Sequence, residues 1–348
     1  MLKEYPHLPR APLFSGFTPL EFLPRLTAEI GGAELWVKRD DLTQLAFGGN
    51  KVRQLEFYLG QAQAQQADTI LITGAVQSNF VRLAAAAANK MGMACHIQLE
   101  HRVQSQDPLY HENGNVLLDK LLGATLHHYP HGEDEAGADA ALHQLASELK
   151  AQGQTPYIIP LAPGHPPYGA LGYVRAAEEL QSQCDTEQLK FDHIVVASGS
   201  GATHGGLLFG LRQLNNTTPV HGICVRRPAA QQVPRIEKRC EELAQMMQVD
   251  NPVANTDVLI DEQHLAPGYG LSNAASNQAI RLTAQRESLI LDPTYTAKSM
   301  AGAISLARTL PKTQRVLFIH TGGTPGVFAY QQAIEQACNP DRCEHNPE

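Results

Sequence analysis

What most limits the fold of this chain is a rhythm. Short runs rich in β-branched residues alternate with longer stretches of helical pattern. The runs fall at residues 69–73, 95–99, 157–160, 193–197, 220–225 and 316–320, with helical patterns at 51–66, 79–91, 139–152, 169–183 and 273–287. Strand and helix in alternation predict βαβ units, whose parallel strands are covered by helices on both faces. The runs around Val195 and Leu317 are almost wholly apolar, as central buried strands are. At roughly 150 residues per domain, a chain of 348 residues makes about two domains. The expected fold class is therefore α/β, with two open, twisted, mostly parallel sheets and helices on both faces. The densest break is the proline-rich stretch 161–168, read as the return from a smaller domain to a larger one. The other crossing is expected near Gly48 and Gly49. This gives a large domain of residues 1–48 and 163–348 and a small domain of residues 49–162.

Composition narrows the function. Hydrophobic residues make up 43% of the chain, which excludes a disordered one. Lys plus Arg number 27 against 35 Asp plus Glu, a formal net charge of −8. Nucleic acid requires a basic footprint, and an anionic membrane surface requires a polybasic segment; neither is present. No apolar run approaches the ~20 residues that span a bilayer. Residues 1–7 contain no apolar h-region, so no secretory signal is expected. The six cysteines (Cys95, Cys184, Cys224, Cys240, Cys338 and Cys343) show no framework spacing, and reduced thiols in a cytoplasmic protein are expected. Cys338 and Cys343, with His345 nearby, read as a polar tail. A structural zinc site needs four ligands, so no metal is expected.

In open α/β sheets, ligands bind beyond the carboxyl ends of the strands. Four strand-to-helix junctions are rich in Gly, Ser, Thr and Asn. At the first, Gly48 and Gly49 precede Asn50 and Lys51. A helix start is the positive end of the dipole, where a neutral amine or an imine sits more easily than a cation. Taken alone, Lys51 reads more simply as a solvated lysine. At the second, Gly74 to Phe80, the N–H groups of a helix start could cradle a carboxylate. Ser78 or Asn79 would also serve there as an ordinary cap, and the two readings are compatible. The third, Ser198 to Gly206, is a phosphate cradle by composition, with a tight structural turn as the competing reading. It lacks the Gly-Lys-Ser/Thr of a Walker loop and the dinucleotide fingerprint, so one phosphate on a small cofactor fits better than ATP or NAD. The fourth runs from His320 to Gly326. Tyr269 and Tyr295 lie in further glycine- or proline-rich loops. One lysine, one phosphate cradle, one carboxylate cradle and loop tyrosines together suggest pyridoxal 5'-phosphate acting on an amino acid.

At these residues the chain resembles the D-cysteine desulfhydrase and 1-aminocyclopropane-1-carboxylate deaminase family. These are pyridoxal-phosphate enzymes of the tryptophan-synthase β-like fold, fold type II. The resemblance runs from about Pro9 to Tyr330. It is carried by Thr18-Pro19-Leu20, Lys38-Arg39-Asp40-Asp41, Gly48-Gly49-Asn50-Lys51, Gln77-Ser78-Asn79, Asn113-Gly114-Asn115, Gly169-Ala170-Leu171-Gly172-Tyr173, Ala266-Pro267-Gly268-Tyr269-Gly270, Leu291-Asp292-Pro293, Tyr295 and His320-Thr321-Gly322-Gly323. It implies that Lys51 is the Schiff-base lysine and that Asn79 bonds the cofactor's phenolic oxygen. Gly199, Ser200, Gly201, Ala202 and Thr203 would hold the phosphate. Gln77, Ser78 and Asn79 would meet the substrate, with Tyr269 and Tyr295 flanking the reacting centre. The implied catalytic set is Lys51, Ser78, Tyr269 and Tyr295. A homodimer is implied as well.

Within the family the deaminase branch carries Glu after the second tyrosine and Leu in the final loop. Thr296 and Thr321 stand there here, as in the desulfhydrase branch. A hydroxyl such as Thr321 beside the pyridine nitrogen makes a weaker electron sink than a carboxylate. That suits a carbanion discharged quickly by loss of a β-substituent. The activity implied is α,β-elimination, with D-cysteine as first substrate, giving pyruvate, ammonia and hydrogen sulfide. The alternatives are L-cysteate sulfo-lyase, 1-aminocyclopropane-1-carboxylate deaminase and amino-acid racemase. No sulfonate-specific basic residue is legible. The chain departs from the family at Phe80, where His is usual, and in the stretch before Gly169, where Gly-Gly-Ser-Asn is usual. His165 in that stretch reads as a new acid or as a solvent-facing loop histidine.

Overall fold

The computed structural model describes residues 8–161 and 164–339. The boundary expected at residue 163, the first seven residues, and Cys343 and His345 lie outside them. Among the described residues, ten strands build two sheets: β1 (Leu20–Phe22), β2 (Glu34–Lys38), β3 (Thr69–Ala75), β4 (Ala94–Glu100), β5 (Thr125–Tyr129), β6 (Pro156–Ile159), β7 (His193–Ser198), β8 (Val220–Cys224), β9 (Leu259–Asp261) and β10 (Arg315–Ile319). The larger sheet has the order β1-β2-β10-β7-β8-β9, and the smaller β5-β4-β3-β6. β1 runs antiparallel to β2, and every other pairing is parallel. The six runs read from the sequence are β3, β4, β6, β7, β8 and β10.

Helices cover both faces of both sheets, as the apolar runs require. Tyr168–Glu187, Ala202–Gln213 and Ala229–Met247 bury Leu180, Leu208, Phe209 and Leu243 against one face of the larger sheet. Ala274–Glu287 and Thr296–Thr309 bury Ile280, Met300 and Ile304 against the other. On the smaller sheet, Asn50–Ala64 and Asn79–Lys90 pack on one face, and Leu142, Ala146 and Leu149 of Glu135–Ala151 pack on Leu71 from the other. The run Ala84 to Ala88 is wholly buried, and its small side chains let that helix lie close to the strands. The helix expected from residue 139 starts earlier, at Glu135, because Asp134 caps it by accepting from the Gly137 N–H at 2.9 Å.

Each sheet has a point where the strand order reverses. In the larger sheet β8 and β9 lie on one side of β7 and β10 on the other; in the smaller, β4 and β5 lie on one side of β3 and β6 on the other. The crevice at the carboxyl ends beside such a point is where open α/β sheets bind ligands.

Candidate active site

One cavity receives the carboxyl ends of both sheets. Gly74 and Ala75 come from β3, Ala197 comes from β7 and Gly199 to Gly201 follow it, Val225 to Arg227 follow β8, and Thr321 and Gly322 follow β10. Its empty volume, open to solvent at the mouth, is about 890 Å³.

Lys51 enters from the second residue of the helix Asn50–Ala64. The chain reaches that position through two glycines. Gly49 has φ 123°, and a Cβ on it would lie 2.9 Å from the Thr321 carbonyl oxygen, which accepts the Asn50 N–H at 3.0 Å. Gly322, at φ 89°, would bring a Cβ to 2.7 Å from Gly49 Cα. The loop after β10 and the loop before the lysine helix therefore touch backbone to backbone. Lys51 Nζ donates to Gln54 Oε1 at 3.2 Å and lies 5.0 Å from the centroid of the Phe80 ring. It has no carboxylate partner among the described residues, and burial lowers its pKa to about 8. The amine is thus partly neutral near physiological pH.

Ser78 caps the helix Asn79–Lys90, its Oγ accepting the Phe80 N–H at 3.2 Å, and it also lines the cavity with Asn79. Asn79 Oδ1 accepts from Arg82 Nη1 at 2.8 Å, which leaves its amide protons to face elsewhere. Arg82 is fully buried and also donates to Asn115 Oδ1 and to the Gly48 carbonyl. Gln77 does not reach the cavity. Its amide donates to the carbonyls of Tyr110 (2.7 Å) and Asn113 (2.9 Å), and its Oε1 accepts the Asn115 N–H at 2.9 Å. Backbone groups of the 110–115 turn take up both of its amide protons and one lone pair of its Oε1, and Gln77 supports the wall behind Ser78.

The cradle after β7 opens the helix Ala202–Gln213 through Gly201 at φ 90°. The first-turn N–H groups of a helix have no intrahelical acceptor. Thr203 Oγ1 accepts from Asn50 Nδ2 at 2.8 Å and Gln54 Nε2 at 2.9 Å. With both lone pairs occupied, its own proton is free to donate. Gly199, Ser200, Gly201 and Thr203 line the cavity, while Ala202 borders a small side cavity with Ser200, Phe80 and His165. His165 does not line the main cavity; its Nε2 lies 3.1 Å from Asp139 Oδ2.

Tyr269 and Tyr295 meet hydroxyl to hydroxyl, their rings edge-to-face with centroids 5.8 Å apart. Burial pushes both pKa values above the ordinary tyrosine range, so both are protonated at neutral pH. Tyr295 is aimed by Asp292, whose carboxylate accepts the N–H groups of Thr294, Tyr295 and Thr296, each at 2.9 Å. The Thr296 hydroxyl also donates to Asp292, at 2.7 Å, so Thr296 faces away from the cavity. Thr321 does line it. The loop of Tyr269 is pinned by Lys298, whose Nζ donates to the carbonyls of Leu265 and Gly268 at 2.6 Å each. Lys298 carried no signal in the sequence beyond its closeness to Tyr295.

Sequence reasoning also missed the arginines. Arg102, Arg226, Arg227 and Arg235 all line the cavity, and Glu135 is the one acid among its described lining residues. Glu135 accepts from Arg226 at 2.9 Å, from Arg235 at 3.1 Å and from Arg227. Arg102 pairs with Glu100 at 2.6 Å. Arg226 and Arg227 follow β8 directly, and that position at a strand's carboxyl end was the available signal. Together, a cradle of N–H groups and hydroxyls, a neighbouring cation and one amine with no carboxylate partner fit a phosphorylated aldehyde cofactor. The Thr203 proton with no remaining lone pair to share is the most specific sign of that fit.

The chain is similar to known proteins over nearly its whole length. The family model described as pyridoxal-phosphate dependent enzyme matches residues 12–322. The chain is 40% identical over 331 residues to the D-cysteine desulfhydrase of Klebsiella pneumoniae, covering 94% of this chain and 98% of that one. It is 40% identical over 335 residues to the D-cysteine desulfhydrase of Salmonella choleraesuis, covering 96% and 99%. A crystal structure described as an ACC deaminase homologue superposes with a TM-score of 0.84 at 36% identity, over 95% of this chain and 96% of that one.

Proposed function

This chain belongs to the family of pyridoxal-phosphate dependent enzymes, and from that premise we propose that it is a lyase eliminating the β-substituent of a small amino acid, D-cysteine first, to give pyruvate, ammonia and hydrogen sulfide. The observation that carries the reading is Lys51: a cavity amine with no carboxylate partner and a pKa near 8, set between a phosphate cradle and a tyrosine pair.

Gly199, Ser200, Gly201, Ala202 and Thr203 would hold the cofactor's phosphate, Lys51 its aldehyde carbon, Asn79 its phenolic oxygen and Thr321 its ring nitrogen. Bound pyridoxal phosphate supplies an electron sink for the pair left when the substrate's Cα proton is removed. Lys51, once displaced by the substrate amine, takes that proton; an ordinary lysine, at about 10.4, would be a poor base at neutral pH. N–H groups near Ser78 and Asn79 hold the substrate carboxylate at the helix N-terminus. One hydroxyl of the Tyr269–Tyr295 pair donates to the other, which leaves one phenolic proton for the departing sulfur. Glu135 is held by three arginines, so among the described residues no lining carboxylate is free to keep a ring nitrogen protonated. This supports a weak sink and fast departure of a leaving group over the opening of a cyclopropane.

We retain as part of the proposal the two-domain division at residues 48–49 and 162–163, a cytoplasmic location and a homodimer. The exposed Leu117 and Leu121, one turn apart, offer an apolar strip for such pairing. The test is product analysis. The holoenzyme should give pyruvate from D-cysteine and no 2-oxobutyrate from aminocyclopropane carboxylate; substantial 2-oxobutyrate would overturn the reading of Thr321.

A further inference from the structure

We propose that Asp139, His143 and His165 form a site for one divalent cation of the zinc class, which clips the stretch before the helix Tyr168–Glu187 to the helix Glu135–Ala151. The site lies outside the main cavity and does not rest on the elimination reading. Asp139 and His143 stand four residues apart, about one turn of the helix Glu135–Ala151, and so project from one face. His165 reaches the same place from the stretch that follows β6. Two imidazoles converge on one carboxylate oxygen: His165 Nε2 lies 3.1 Å and His143 Nε2 4.0 Å from Asp139 Oδ2. One ligand atom from each residue lies within 4.8 Å of the other two. The two rings are near parallel, 22° apart in plane, with centroids 6.2 Å apart.

A hydrogen bond between His165 and Asp139 needs no second histidine aimed at the same oxygen, whereas a metal ion does. Tetrahedral zinc, with ligands at about 2.0–2.1 Å, places them roughly 3.3 Å from one another. The edge from His165 to Asp139 is already near that length. His143 completes the triangle by turning inward about an ångström. Its side chain is 56% exposed and has room to turn. Water takes the fourth position. Imidazole nitrogen selects zinc and its neighbours over magnesium or calcium, which take oxygen. Among the described residues no other group of three such ligands converges, and the cross-strand pairs His96–His127 and His193–His221, at 3.0 Å each, stop at two. The expectation of no metal rested on the tail cysteines; this cluster exists only once the fold brings residue 165 back to residues 139 and 143. His165 also borders the side cavity with Ser200 and Ala202 of the cradle, and Glu135, on the first turn of the same helix, lines the main cavity. A bound ion therefore fixes the wall that this stretch gives to the side cavity against the helix that holds the arginines.

Zinc ions alone test the site, by calorimetric titration of the holoenzyme freed of bound metal on a chelating resin. The wild type should take up one zinc ion per chain, and magnesium ions should give no saturable heat. His143→Ala removes an exposed side chain and leaves the fold intact. It, Asp139→Asn and His165→Ala should each weaken zinc binding at least about tenfold. His96→Ala, in a strand pair, should leave it unchanged. No saturable zinc uptake by the wild type, or uptake unchanged in His143→Ala, overturns the site. Uptake that survives His165→Ala overturns the clip, because the stretch then supplies no ligand. Uptake lost in His96→Ala assigns the ion to the strands instead. Magnesium bound as tightly as zinc overturns ligation by the histidine nitrogens.

Discussion

Lys51 and Arg53 stand two residues apart on one helix and have opposite surroundings. Arg53 is buried against Asp40 at 2.9 Å and Glu179 at 2.7 Å, and Lys38 joins the same two acids' cluster through Glu179 at 2.5 Å. Thr18 and Tyr173 add hydroxyl donors to Asp40. Two cations thus face two carboxylates, and the cluster ties β2 to the helices Asn50–Ala64 and Tyr168–Glu187. Lys51, on the other side of the helix, meets an aromatic ring and an amide. Charge that is matched inside the fold holds the fold. Charge left unmatched at a cavity, as at Lys51 and the arginines after β8, is available for chemistry.

The largest expected effect falls on turnover. Lys51→Ala should lower pyruvate formation by at least about 10²–10⁴-fold, the usual worth of a positioned base, with the melting temperature held or raised. Destabilisation instead would place the lysine with the frame and break the comparison.

Arg53→Met is the converse. Removing one partner from a buried ion cluster leaves uncompensated carboxylates and should cost about 3–5 kcal/mol in urea unfolding. Turnover per folded molecule should stay within about twofold, since Arg53 does not line the cavity. A selective loss of turnover would mean the cluster also tunes the site.

Lys298→Met sharpens the contrast at the tyrosines. Without the two carbonyl bonds to the Tyr269 loop, turnover should fall roughly tenfold, in keeping with the loss of charge-assisted hydrogen bonds. Stability should change little, because burying the charged amine is itself unfavourable.

A pH series separates the two cations further. The folded pKa of Lys51 is about 8 against about 10.4 unfolded, so between these values the unfolded chain binds more protons. Stability of the cofactor-free protein should rise with pH across that window, and the penalty is complete below it. Lys51→Met should flatten the rise; an unchanged slope assigns it to Lys298. The smallest effect is Ser78→Ala, where loss of a helix cap costs about 1 kcal/mol. A much larger loss of turnover would show Ser78 acting on protons as well.

The sequence made the central strands legible because burial on both faces leaves uninterrupted apolar runs. β5 was not legible: it is an edge strand, Thr-Leu-His-His-Tyr, with a mostly exposed or half-buried pattern. The helix Ala229–Met247 was also missed; it is the element behind Arg235. The strand-end junctions gave Lys51, Ser78, Asn79, the cradle and Thr321, since small polar residues mark backbone that must turn tightly near a ligand. The arginines escaped because each is an ordinary loop or helix residue until the fold brings two loops and a helix together. The orientation of Gln77 was not legible either: its place beside Ser78 in sequence says nothing of which way its amide turns, and in the fold it turns to the carbonyls of Tyr110 and Asn113.

The contact between Gly49 and Gly322 limits how this sequence can drift. Every single-codon replacement of glycine adds a Cβ, and at both positions that atom would fall within 3 Å of the backbone of the facing loop while φ lies in the left-handed region. Neither position has a neutral first step, and relief at one does not permit the other. In a saturation library selected for a folded, cofactor-loaded protein, the two sites should each return glycine alone, while Phe80 and the arginines vary with the substrate supplied.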